Sequence, residues 1–73
     1  MDLINYICQR AAVRFGDPHR FNAACFSSAW KEVTGLADSL DGRAVAAMLH
    51  GRDDVEPLGG AHYALRPLNP ERP

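Results

Sequence analysis

Three histidines (His19, His50, His62), two cysteines (Cys8, Cys25), the pair Ser27-Ser28 and the acidic pair Asp53-Asp54 are the side chains here with the chemistry for metal binding or catalysis. Structural zinc sites take their ligands from closely spaced pairs of Cys or His, because a short loop brings two donors to one ion. No such pair occurs in this chain, so no metal centre is expected. Nucleophilic catalysis gathers a Ser or Cys, a base and an orienting acid in one pocket. Cys25, Ser27 and Ser28 have no histidine nearby in sequence, and a domain this small has little room for a cleft. The pattern points away from an enzyme, and no cofactor is expected. Two cysteines are too few and too widely spaced for a disulfide-stapled scaffold; both read as buried thiols on helix faces. Asp53-Asp54 reads as a solvated turn.

The remaining chemistry lies in arginine. Eight Lys+Arg face nine Asp+Glu, and Lys31 is the sole lysine. Arginine makes planar, bidentate contacts to phosphate, guanine or carboxylate. Nucleic-acid binding domains nevertheless carry a basic excess, since phosphate neutralisation supplies much of their affinity, and this chain has none. Arg10, Arg14 and Arg20 read as exposed side chains covering apolar edges.

These residues must be held by a small frame. Seventy-three residues form one domain at the lower limit for a self-sufficient core. An apolar fraction of 47% with 23% charged residues is that of a globular chain and excludes disorder as the default. No apolar run approaches the roughly 18 residues that span a bilayer. Met1-Asp2-Leu3-Ile4-Asn5 has no basic segment of the kind that opens a secretory signal, so a cytoplasmic location is expected.

Helical spacing of Ile4, Ile7, Cys8, Ala11 and Phe15 predicts an amphipathic helix over 3–15, stopped by Gly16-Asp17-Pro18. Asn22 is the expected N-cap of a second helix over 23–34, with Cys25, Phe26, Ala29, Trp30 and Val33 as its apolar face, Ser27, Ser28 and Lys31 on the other side, and Gly35 as its end. A third helix is expected over 39–50, capped by Asp38 or Ser39 and followed by Gly51, with Val45, Met48 and Leu49 buried. Two extended runs within residues 53–66 flank a Pro/Gly-rich turn and predict a hairpin. Side chains alternate faces along a strand, so Val55, Tyr63 and Leu65 reach one core only with an odd-length connection. A three-residue loop, Pro57-Leu58-Gly59, with Gly59 in the left-handed conformation satisfies this. Residues 67–73 hold three prolines and read as a disordered tail, leaving residues 1–66 as the domain.

The fold class is therefore α+β, mostly α: three helices and a C-terminal two-stranded hairpin. The order helix, short extended link, helix, turn, helix, hairpin resembles the winged helix-turn-helix superfamily. The likeness is one of pattern, carried by Trp30-Lys31-Glu32-Val33-Thr34-Gly35, by Arg43-Ala44-Val45-Ala46-Ala47-Met48-Leu49 and by Gly59-Gly60-Ala61-His62-Tyr63-Ala64-Leu65-Arg66. The resemblance implies a recognition helix over 39–50 that enters the DNA major groove and a wing tip over 56–61. Arg43, Ala46, Ala47 and His50 would face the partner. Arg43 would read a guanine or hold a phosphate, the alanines would admit a close approach, and Arg52 would add a phosphate contact. Such a module is a DNA-binding transcriptional regulator, with a homodimer as its expected form. The acids around the third helix (Asp38, Asp41, Asp53, Asp54, Glu56) and the apolar tip residue Leu58 favour a second expectation, a protein-interaction module that binds no DNA. A small inhibitor of phage or mobile-element origin, of the anti-CRISPR kind, is one form of it, suggested by size and the lack of a catalytic motif.

Overall fold

The computed structural model describes residues 2–66. Its elements run α1 (Leu3–Phe15), β1 (Arg20–Asn22), α2 (Ala23–Thr34), α3 (Gly42–Leu49), β2 (Val55–Gly59) and β3 (His62–Leu65). The expected tail, 67–73, lies outside the described residues.

Each helix starts on a short acceptor side chain that satisfies an otherwise unpaired amide of the first turn. Asp2 accepts from Ile4, Asn22 from Cys25 and Asp41 from Ala44, each at 2.8 Å. Gly16 and Gly35 end α1 and α2 with positive φ values of 93° and 74°, which only glycine adopts without cost. The first two helices thus match their expected bounds. The third does not: it begins at Gly42 under Asp41, and neither Asp38 nor Ser39 caps it. The Leu40 amide is donated to the Ser27 hydroxyl at 3.0 Å. That bond holds the Leu40 backbone on α2, and the next residue, Asp41, supplies the cap.

The sheet has three strands in the order β1-β3-β2, all antiparallel, so the expected two-stranded hairpin is incomplete. Phe21 pairs with Tyr63 across β1 and β3, and its ring stacks on Tyr63 at 5.6 Å and on Phe26 at 6.1 Å. A three-residue strand has no periodicity of its own; it exists because β3 lies beside it and Phe21 is buried there. Val55 pairs with Leu65 and Pro57 with Tyr63, the shared face that the alternation argument requires. The connection differs from the expected loop. Gly59 pairs with His62, and Leu58 is the extra, unmatched residue of a bulge. Gly60 and Ala61 make a two-residue turn, both at positive φ (59° and 64°), the signature of a type I′ hairpin turn. The odd residue lies in the strand and not in the turn. Gly59 is left-handed as expected, at φ 87°.

The core gathers Ile7, Cys8, Ala11, Phe21, Phe26, Ala29, Val45, Leu49, Val55 and Tyr63 from all these elements. Trp30 and Cys25 are half-buried against it. Ser27, expected on the outer side of α2, is buried through its bond to Leu40. Phe15, expected inside, is exposed at the end of α1. Both cysteines are free thiols, Cys8 fully buried, and burial pushes the Cys8 thiol up to about 12.

Candidate functional site: the α3 face, a carboxylate-arginine clamp and the hairpin tip

The expected site residues fall into three places. Arg43, Ala46 and Ala47 are exposed on α3, away from the buried Val45 and Leu49. His50, expected as the last helical residue, is exposed too but is the extended C-cap after Leu49 (ψ 131°), so the helical period does not place it on that face. Ala46 and His50 also line a groove of about 320 Å³ between the end of α3 and the hairpin, whose other walls include Arg52, Pro57 and Arg66. Its cations are not free. Arg66 lies 3.7 Å from Glu56 across the outer face of the hairpin.

Arg52 is turned into the fold. Its Nε donates to Asp54 Oδ1 at 2.9 Å, and its Nη2 donates to Asp54 Oδ2 at 3.0 Å and to Asp2 Oδ2 at 2.6 Å. Asp54 is 5% exposed and also accepts from the Asn5 side-chain amide at 2.8 Å. These bonds tie the first turn of α1 to the start of β2. The Arg52 hydrogen bonds hold the Asp54 and Asp2 carboxyls below their ordinary value and raise the guanidinium above its own. With two carboxylates on one guanidinium, Arg52 serves as a structural clamp and makes a poor phosphate ligand. Asp54 is the buried acceptor of this clamp and not the solvated turn residue that the sequence suggests. A second cluster joins α1 to α2: Arg10 and Arg14 reach the two oxygens of Glu32 at 3.1 and 3.4 Å.

Leu58 stands apart from the α3 face. With Phe15, Arg20, Gly59, His62 and Tyr63 it lines a hollow of about 410 Å³ at the hairpin tip. Leu58 is 44% and Phe15 38% exposed, and the Phe15 ring meets the His62 ring edge-on at 5.9 Å. Phe15, Arg20 and His62 were missed as a surface cluster by sequence reasoning; the only available signal was the arrest of α1 directly after Phe15.

Among the described residues no group of three or more His, Cys, Asp or Glu side chains is placed to hold a metal ion, and no helix is long and apolar enough to cross a membrane. No family model, curated protein or solved structure matches the chain.

Proposed function

We propose that this chain is a non-enzymatic binding module of the winged helix-turn-helix kind whose partner is a protein. The architecture supports the fold half of that reading. Helix, strand, helix, helix and two strands, with the early strand beside the last one, follow the element order that the sequence resembles, with α3 as the recognition helix and the bulged hairpin as the wing.

The disposition of the cations carries the partner half. Of the seven Lys and Arg residues described, Arg10, Arg14, Arg52 and Arg66 are in ion pairs. Within α3 the sole cation is Arg43, two residues after the capping carboxylate of Asp41. A face with one free cation releases few counterions from DNA, and counterion release supplies most non-specific affinity. Exposed Leu58 and Phe15 suit a protein surface instead. The DNA-regulator reading retains one observation in its favour: Arg43, Ala46 and Ala47 are exposed on α3, with His50 exposed just after it.

Titration of a labelled random-sequence DNA duplex at about 50 mM salt separates the two readings, because electrostatic affinity is strong there. The expected result is no saturable binding up to about 100 μM protein, the weak end of non-specific DNA affinities. Micromolar binding that weakens steeply with salt and is lost in Arg43→Ala would overturn the protein-partner reading.

A further inference from the structure

We propose that the hollow at the hairpin tip is the docking site for an acidic polypeptide segment that inserts a large apolar side chain beside a carboxylate. This assignment rests on the protein-partner reading and specifies its surface. The apolar half of the hollow is Leu58 and Phe15. Leu58 is outside the ladder's alternation because it is the bulged residue, with no partner on β3, so the strand pattern supplies no neighbour to cover it. The cationic half is Arg20, which has no ion-pair partner among the described residues; the His62 ring adds a polar edge to the lining.

No carboxylate lines the hollow. Asp17, the acid closest to Arg20 in sequence, has its Oδ1 engaged by the His19 backbone amide at 2.8 Å. Arg20 is the one full charge on this lining, so the hollow is complementary to an anion held beside an apolar group. Nucleic acid fits it poorly, since one permanent cation beside two exposed apolar side chains offers little to a phosphate chain. A peptide carboxylate on Arg20 with an apolar neighbour against Leu58 and Phe15 satisfies both halves. The surface is also preformed. The Ala61 carbonyl at the turn accepts the Ala23 amide at 2.9 Å, which fastens the tip to the first turn of α2, so little ordering accompanies binding.

The test is a random dodecapeptide phage library panned against the full chain, followed by titration of synthetic versions of the enriched peptides. Enriched sequences are expected to carry Asp or Glu next to Leu, Ile, Phe or Trp. Leu58→Asp and Arg20→Glu should each weaken binding more than about tenfold, the loss seen when a central anchor is removed, while leaving the circular-dichroism melt unchanged. Amide shifts in NMR should cluster at Arg20 and residues 58–62. Basic enriched peptides, binding that survives both substitutions, or no enrichment would each overturn the assignment. Peptides whose shifts map to α3 would overturn this surface and leave the protein-partner reading standing, whereas salt-sensitive DNA binding overturns that reading itself.

Discussion

Replacing Arg52 by alanine tests whether this residue is a clamp or a ligand contact. Its guanidinium supplies two of the three side-chain hydrogen bonds to Asp54, whose side chain is 7% exposed. Removing one partner of a buried charge pair costs about 3–5 kcal/mol, because the other charge stays desolvated. Arg52 itself is 21% exposed, and Asn5 remains as a donor, so water entry and that bond recover part of the loss. The expected cost is about 2–4 kcal/mol, out of the roughly 4–10 kcal/mol that holds a chain of this length together. In thermal unfolding this is a drop of about 10–25 °C.

The pH dependence sharpens the test. Hydrogen bonding to Arg52 lowers the folded-state pKa of Asp54 from its ordinary 3.8, so the stabilisation is present in full above that value and is lost as pH falls through the folded-state value. In Arg52→Ala the main lowering influence is gone and burial still acts to raise the value. The acid-induced loss that Asp54 contributes in the parent should then shrink or change sign, so the stability gap between parent and variant narrows as pH falls toward about 3. Urea melts from about pH 7 down to pH 3 read both effects, and in an Asp54→Asn background Arg52→Ala should cost less than half as much, since the pair is coupled. A variant within about 0.5 kcal/mol of the parent at pH 7, with an unchanged acid limb, would refute the clamp and return Arg52 to the binding surface.

Phe21→Ala should cost about 3–5 kcal/mol in chemical denaturation, since it empties a fully buried site between Phe26 and Tyr63 and detaches β1. Trp30→Ala, at a half-buried position, should cost less than Phe21→Ala, about 2–3 kcal/mol by the same measurement. Ala61→Gly should stabilise by up to about 1 kcal/mol, because Ala61 stands at φ 64°, where a β-carbon is disfavoured by roughly 1–2 kcal/mol, partly offset by the greater freedom of glycine when unfolded; a lower melting temperature would contradict the strained turn. Cys8, buried with its thiol raised to about 12, should resist iodoacetamide in the native chain at pH 8 and react once urea unfolds it, as peptide mass spectrometry would show.

How much of this was readable in advance follows from how far each determinant reaches along the chain. The bounds of α1 and α2 rest on Asn22, Gly16 and Gly35, each acting within a few residues, and the face shared by Val55, Tyr63 and Leu65 follows from strand alternation alone. The exposure of Arg43, Ala46 and Ala47 on α3 followed from helical period, but that of His50 did not, since the helix stops at Leu49 and His50 is extended. The start of α3 did not, because the Leu40 amide is held by a hydroxyl 13 residues away. Nor did β1, which is a strand by virtue of β3, or the placement of the odd residue as a bulge at Leu58, where parity permits either solution. Charge type marked Arg52 as a binder of anions and Asp54 stands only two residues on, but only the fold buried Asp54 and brought Asp2, 50 residues earlier in the chain, to the same guanidinium. The hairpin-tip hollow arose the same way, from the end of α1, β1 and the bulge meeting at one place. Sequence thus determined the local elements and their inward faces, since caps and periodicity act over one or two turns. Tertiary structure decided which cations remain available to a partner, because ion pairing depends on distances that the linear chain does not contain.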